Sequence, residues 1–581
     1  MKLVLIILLS LALVGLALRS ELDQSYTQGE SQAVLDRSGQ IILLKPNNKR
    51  FYSLYATSSP TQLQKWLMAK EDRYFFYHPG INPVSLLEEG LSRLGFGARR
   101  GSSTLTQQLV KILLQHETDR RTLNKIVELA YTLTTEIFHS KKELAARYLN
   151  SVYFGSRLQG VETASRAYFK TSGDKLSNEA AMQLLATLSN PSYHNPTSGT
   201  NIPLAQTLAA KLRVSVVKTN FISPQLAAHN VADFLNFSQS FELEKFLGQI
   251  RVGDGRGDEN IETTIDLELT QKIRKIVASA MPSLYQRDAR NVAVVVEAAA
   301  TSEILSIVGT PDPTSRQFGQ QINMALEPRP IASTIKPFIY LKAFEKGMRP
   351  ETLIDDREYE FRTADGRILY LKNYDQKYRG PISAAYALAN SINVPSVKTL
   401  EYVGLAPFGE FLKTIAYSAP EKIIEHQLGI GLGTLPFSLF ELTHDYSIFA
   451  RGGNFSEPRL FRDPDINQQF FPAVSRQIVA EEYVKLVNDI LSNRHLATDQ
   501  FGYVSNLNLP LANYALKTGT SDDWRDSWVI GYTPDFIVGV WVGNADNTST
   551  KELSGQTGAG EIWSRVMELM ASEEWSYLTV K

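Results

Sequence analysis

At 581 residues the chain is too long for a single hydrophobic core, so two or more domains are expected. Its 60 Lys and Arg balance 61 Asp and Glu, and a net charge of −1 argues against nucleic acid as a main partner. The absence of cysteine excludes disulfides, thiol catalysis and thiolate-held metal.

Lys2 precedes an unbroken apolar run, Leu3 to Leu18, flanked by Arg19. The run is short for a spanning helix, but the flanking basic side chains can snorkel in a thinned bilayer. A cleaved signal peptide is the competing reading, with Gly15-Leu-Ala17 as its small-x-small site. On the residues alone the two are even; either way, the rest of the chain is exported. Residues 20–50 are mostly polar without a period and are expected to form a stalk.

From 51 to 225 the pattern is helical. A run from Thr61 through Trp66 and Met68 to Lys70, then Leu123 to Phe138 and Lys141 to Tyr148, places apolar residues at three- and four-residue steps. Residues 226–260 are expected as a linker, because Gln249 to Glu259 is rich in Gly, Asp and Arg. From 261 to 575 the character changes. Asn291 to Val296 with Ile304 to Val308, and Trp528 to Tyr532 with Phe536 to Val542, read as two hairpins of buried strands. Helical stretches at Ser333 to Lys346, Ile382 to Asn390 and Leu439 to Phe449 lie between them. Strands at both ends with helices between predict an α+β domain, one sheet covered by helices.

Three motifs in this second half carry chemistry: Ser333-Thr-Ile-Lys336, Ser391-Ile-Asn393 and Lys517-Thr-Gly-Thr520. Alone, the first reads most simply as an N-cap and a solvated lysine; the ordered set reads as a serine acyl transferase. Three residues apart on a helix, Ser333 and Lys336 share a face, so a neutral amine can take the hydroxyl proton. Desolvation and a second cation, Lys517, would keep that amine neutral. Ser391 can relay a proton to a leaving amine, while Asn393 orients Lys336 and a substrate amide. Thr518 and Thr520 would join Lys517 in holding a carboxylate, with Gly519 letting a substrate backbone approach. The N–H groups of Ser333 and Thr520 would form an oxyanion hole, an effect of roughly 3–4 kcal/mol per donor.

Residues 262–571 resemble the transpeptidase domain of the penicillin-binding proteins, on these motifs and on Lys336-Pro-Phe338, Asn373-Tyr-Asp375 with Gly380, and Ala387-Leu-Ala-Asn-Ser391. The stretch Lys517 to Trp528 is most similar to the type 1C branch. Ile331-Ala332 departs from the family's usual Pro-Gly before the nucleophile.

In the first half, Glu71-Asp72-Arg73 with His78 and Gly80 is a turn-prone acidic stretch, followed by Ser102-Ser103-Thr104-Leu-Thr-Gln107-Gln108 and by Lys125 and Glu128 on a helix. Glu71 can deprotonate an acceptor hydroxyl, with Lys125 and Arg213 placed for a departing pyrophosphate. Helix capping by the acids and a surface role for the Gln pair are the plain alternatives.

This region resembles the family 51 glycosyltransferase domain of class A penicillin-binding proteins. The resemblance implies a mostly α, lysozyme-like fold, Glu71 as catalytic base, and Glu128 as second glutamate. It also implies substrate contacts from Asp72, His78, Ser103, Thr104, Gln107, Gln108 and Lys111. Four departures (Glu88, Asn124, Ala146 and Leu212 in place of charged family residues) trim contacts to phosphate or to the scaffold around it. Losing arginines there would weaken pyrophosphate binding by roughly 1–3 kcal/mol per charged hydrogen bond.

Together these resemblances imply a membrane-anchored bifunctional synthase, with residues 1–19 as an uncleaved single-pass anchor and both catalytic domains outside the cytoplasmic membrane. Expected partners are lipid II, nascent peptidoglycan, β-lactams as covalent inhibitors, the membrane, and other cell-wall synthesis proteins. No cofactor is expected apart from a divalent cation such as Mg²⁺ to neutralise pyrophosphate. The rival readings are a D,D-carboxypeptidase or β-lactam hydrolase, and a non-catalytic cell-wall scaffold with a degenerate first half. Phe75, Phe76 and Leu86 to Leu91 are expected either to touch the bilayer or to pack in the core.

Overall fold

The computed structural model describes residues 2–56, 61–83, 103–114, 122–237, 241–243, 246, 260–362, 368–415, 422–472 and 474–572. The chain divides into two compact units. One holds Met1–Val34, Ile41–Ser240 and Val252–Ile261; the other holds Leu35–Gln40, Phe241–Arg251 and Glu262–Lys581.

The first unit is helical, as its three- and four-residue apolar spacing predicts. Helix α1 (Lys2–Thr27) is followed by α2 (Thr61–Glu71), α3 (Leu105–Leu114), α4 (Thr122–Phe138) and α5 (Lys141–Ser151). Then come α6 (Val161–Phe169), α7 (Asn178–Thr187), α8 (Asn201–Leu212) and α9 (Pro224–Phe237). Ser140 and Ser177 start α5 and α7 by accepting from Glu143 N and Ala180 N, which satisfies first-turn donors. Every residue of helix α7 after Asn178 is buried, so a run of Ala, Met and Leu there forms the centre of the unit.

Two expected boundaries change. Residues 20–50 are not a stalk. Helix α1 continues to Thr27, where Arg147 Nη1 donates to Asp23 at 2.6 Å and Asn150 Nδ2 donates to the Tyr26 hydroxyl at 2.9 Å. Tyr131 donates to Glu21, and Tyr26 stacks on Tyr55 at 4.6 Å. Short strands follow at Ala33–Leu35 and Ile41–Leu44, largely buried. Polar side chains paired inside a domain look, in sequence, like solvated ones. The expected linker 226–260 likewise begins inside α9, where Ala227 and Val231 are buried and Asn230 Nδ2 donates to Tyr168 O at 2.8 Å. Gln249 to Glu259 lies outside the described residues. Among the described residues no helix is long and apolar enough to cross a membrane. An anchor at 1–19 therefore rests on the sequence argument.

The second unit is built on one antiparallel sheet of five strands: β1 (Asn291–Ala298), β2 (Ile304–Val308), β3 (Ala515–Thr520), β4 (Asp526–Tyr532) and β5 (Phe536–Gly543). Their order is β3-β4-β5-β1-β2, so both predicted hairpins form and the first strand, β1, pairs with the last, β5. Strands β1 and β5 are buried along their whole length, which is why they read as continuous apolar runs and not as alternation.

Helices α10 (Leu267–Gln286) and α16 (Ala559–Ala571) cover one face. There Ile273, Val277, Trp563 and Val566 pack with Val292, Val294 and Val540. The helices that carry the motifs are α11 (Lys336–Glu345), α12 (Ala384–Ala389) and α13 (Asn393–Val403). With them come α14 (Leu439–Asp445), packed against β1 and β5, and α15 (Glu481–Ser492).

Candidate active sites

The three acyl-transfer motifs converge, though far apart in sequence. Ser333 sits in a 3₁₀ turn, Ala332–Ile335, which runs directly into α11 with Lys336 as its first residue. One turn is enough to leave Ser333 half-buried while Lys336 is fully buried. Strand β3 presses on this turn, since a Cβ on Gly519 would lie 2.8 Å from Ile331 O. Gly519 is thus required by packing against the nucleophile's own turn, whereas the sequence reading assigned it to substrate approach.

Lys336 Nζ donates to Ser391 O at 2.6 Å, to Asn393 Oδ1 at 2.9 Å and to Ser391 Oγ at 3.3 Å. Lys517 Nζ donates to the same Ser391 Oγ at 2.8 Å and to Thr518 O at 2.9 Å. One hydroxyl therefore lies between two buried amines. Among the described residues the Lys336 amine is held by Ser391 and Asn393, and no hydrogen bond joins it to the Ser333 hydroxyl. Burial, and then the neighbouring charge of Lys517, push Lys336 well below the ordinary lysine value. Burial, and then Arg494, lower Lys517 to about 7. Losing a proton from this pair relieves both desolvation and repulsion, the condition a serine nucleophile needs.

Asn373 holds the second motif in place. Its Oδ1 accepts from Asn393 N at 3.1 Å and Val394 N at 3.2 Å, capping α13, while its Nδ2 donates to Asp356 at 2.7 Å. Ser391 itself is left-handed, φ +55°, at the break between α12 and α13. Ala332 is left-handed too, φ +50°, and its N donates to Gly433 O at 2.9 Å. A conformation that glycine adopts freely is imposed here on alanine. Thr518 accepts from Gln500 Nε2 at 3.2 Å and Thr520 from Gly555 N at 2.9 Å, and both line a cavity of about 440 Å³ beside Ser391.

In the first unit the candidate acids gather around α3. Tyr148 donates to Gln108 Oε1 at 3.1 Å, and its phenol, raised chiefly by burial, also feels the nearby charge of Glu71. Glu71 pairs with Lys70. Three residues beyond Gln108 on α3, Lys111 Nζ lies 3.7 Å from Glu128 and 3.5 Å from Ser103 Oγ. Gln108 and Lys111 share a face of α3, which brings the surroundings of Glu71 and Glu128 together.

Four residues expected on the substrate have another task. Asp72 accepts from Leu105 N at 3.0 Å and faces His78 Nε2 at 3.0 Å, with both side chains buried. Thr104 and Gln107 form a reciprocal cap on α3: Thr104 N donates to Gln107 Oε1 at 3.0 Å, and Gln107 N to Thr104 Oγ1 at 3.3 Å. These four lock the start of α3 to the Glu71 stretch. The reason is burial: the short polar motif doubles as a helix start.

Arg213 caps α8 in a left-handed conformation and is exposed, and no contact among the described residues joins it to Glu71, Lys111 or Glu128. Ala146 and Leu212 are half-buried in α5 and α8. Glu88 and the stretch 86–91 lie outside the described residues, as do the side chains of Asn124 and Lys125 within α4. Phe75 is buried, whereas Phe76 is 54% exposed. Among the described residues no group of three or more His, Asp or Glu side chains is arranged to hold a metal.

Sequence comparison decides the family. Residues 39–219 match the Transglycosylase family and residues 292–568 match the family described as Penicillin binding protein transpeptidase domain. The chain belongs to the class A penicillin-binding proteins. It is 28% identical to Penicillin-binding protein 2D of Bacillus subtilis, covering 90% of this chain and 77% of that one. It is also 28% identical to Penicillin-binding protein 1C of Escherichia coli, covering 88% and 64%. Among solved structures, Penicillin-Binding Protein 1A from Haemophilus influenzae shares the fold with a TM-score of 0.59 at 15% identity, over 94% of this chain and 93% of that one.

Sequence reasoning missed Arg379, Arg494, Asp499 and Gln500. Gln500 and Asp499 line the cavity beside Ser391, and Arg494 is the charge next to Lys517. None belongs to a motif, and only the fold brings them to Thr518 and Lys517.

Proposed function

We propose that this class A penicillin-binding protein, a bifunctional peptidoglycan synthase, works through the following residues. In the second unit neutral Lys336 takes the proton of Ser333, whose oxygen attacks the carbonyl of a D-Ala-D-Ala bond. Ser391, bridged to Lys336 and Lys517, passes a proton to the departing D-alanine amine as the C–N bond breaks. The acyl group on Ser333 then goes to the amine of a neighbouring stem peptide, which loses a proton and regenerates the serine. The observation that carries this reading is the single hydroxyl held by two buried, proton-poor amines.

In the first unit Glu71 removes the proton of the acceptor hydroxyl as it displaces the lipid pyrophosphate with inversion. Lys111 beside Glu128 supplies positive charge for the leaving group. A divalent cation, if used, rides on the substrate pyrophosphate, since the hard ion is readily held by phosphate oxygens and water. The apolar run Leu3 to Leu18 supports a single-pass anchor, with both units outside the cytoplasmic membrane and lipid II as the donor. The similarity of Lys517 to Trp528 to the type 1C branch supports placing the chain near that branch.

The test is lipid II polymerisation with and without penicillin. Glycan strands should form in both, and cross-linked dimers only without the drug. Free D-alanine without dimers would favour a carboxypeptidase, and polymer yield unchanged in Glu71→Gln would favour a scaffold.

A further inference from the structure

Asp356 is fully buried and belongs to none of the three motifs. It ends the short strand Leu353–Asp356, which pairs antiparallel with Gly380–Ser383. Its oxygens accept from Asn373 Nδ2 at 2.7 and 3.0 Å, and one of them also accepts from Arg379 N at 3.0 Å. The Arg379 guanidinium goes to Asp375 instead, at 2.7 Å. A buried carboxylate answered by neutral donors is costly. What it adds over an uncharged amide is polarity, because both of its oxygens can only accept. With a donor on each oxygen, there is no place here for the NH₂ of an asparagine.

That polarity sets which way Asn373 faces. Its side-chain amide donates at one end and accepts at the other. Asp356 takes the NH₂ end, together with Lys377 O at 2.7 Å. The carbonyl end is thereby left for α13, where it accepts from Asn393 N and Val394 N at 3.1 and 3.2 Å. Asn393 is so held at the first residue of α13, and its Nδ2 donates to Lys372 O at 3.1 Å. Its remaining end, Oδ1, accepts from Lys336 Nζ at 2.9 Å.

We propose that Asp356 is a positioning residue for acyl transfer: by fixing the direction of the Asn373 amide it sets the start of α13, and with it the place where Asn393 holds the Lys336 amine. The inference rests on the transpeptidase reading of Ser333 and adds to it a residue that acts only through others.

The experiment follows fluorescent penicillin on the full-length protein and separates the non-covalent binding constant from the acylation step. Asp356→Asn should slow acylation by about tenfold or more and leave the binding constant within about twofold, as displacement of a reacting group does. Asn373→Asp, which sets two carboxylates face to face, should slow it at least as much. The double variant exchanges donor and acceptor between the two positions and still presents an acceptor to α13. It should recover acylation to within about fivefold of wild type. If Asp356 only fastens the loop, Asp356→Asn lowers the melting temperature with acylation unchanged. That result, or a double variant no faster than the single ones, overturns the proposal. Should the single variants fail to fold, the double variant decides: folded and labelled within about fivefold of wild type it supports the proposal, and unfolded or slower it overturns it. Labelled wild type with wild-type rates in every variant defeats the role of Asp356 alone. Wild type that is not labelled defeats the transpeptidase reading beneath it.

Discussion

In the second unit two lysines are buried together, with Lys336 fully buried and Lys517 only 2% exposed, and both engage one serine hydroxyl. In the first unit the candidate acids stay nearer water, with Glu71 and Glu128 side chains 23% and 11% exposed, each beside a lysine. One site concentrates like charge and the other pairs opposite charge. The chemistry explains the contrast: a serine needs a base that has lost its proton at neutral pH, which lysine does only when desolvated and repelled. A sugar hydroxyl needs a carboxylate, already charged at that pH, and cations for the phosphates.

Removing the nucleophile gives the largest expected effect. Ser333→Ala should abolish penicillin labelling, and Lys336→Ala should slow acylation by about 10³-fold or more, read as the second-order rate of fluorescent penicillin incorporation. If Lys336→Ala acylates at the wild-type rate, the like-charge account of that cleft is wrong. Glu71→Gln should lower lipid II polymerisation by about 10²-fold or more, measured as glycan strand length and yield.

The pH response sharpens the comparison. Acylation should fall as pH drops through about 7, where Lys517 takes up its proton, and should not wait for the ordinary lysine range near 10.5. Replacing the nearby charge in Arg494→Met should move that inflection upward. Stability follows the same sign. Between about 7 and 10.5 the unfolded chain binds more protons than the native one, so the second domain should gain stability as pH rises through that window. Lys517→Met should accordingly raise the melting temperature of that domain at pH 7.5 while crippling acylation, a trade of stability against activity.

Smaller effects probe the scaffold. His78→Ala leaves Asp72 short of a buried partner and should destabilise the first domain by about 1–3 kcal/mol in thermal unfolding. Ala332→Gly relieves the left-handed strain before the nucleophile and should stabilise the second domain by about 1 kcal/mol, with penicillin acylation as fast or faster.

Much of this was readable before any coordinates. The two hairpins, the helical first half and the three motifs appear in their places because buried strands and amphipathic helices leave periodic traces, and because nucleophile, base and relay are fixed residue types. Residues 20–50 and 226–237 left no such trace. Asp23, Tyr26 and Asn230 are polar residues whose partners lie elsewhere in the first unit, and pairing across sequence has no period. The same reason divides the sites: Asp72, His78, Thr104 and Gln107 carry polar atoms suited to substrate, yet they lie inside, joined to one another.

Composition and motif order were therefore enough for the class of chemistry and for the candidate residues to be sought in the fold. Folding alone decided that Ser391 stands between two amines and that Arg494 presses on Lys517. It also brought Arg379, Asp499 and Gln500 to the cavity that Ser391 and Thr518 line. Proton affinity and ligand fit depend on distance and on exclusion of water, and both arise only when segments remote in the chain are packed together.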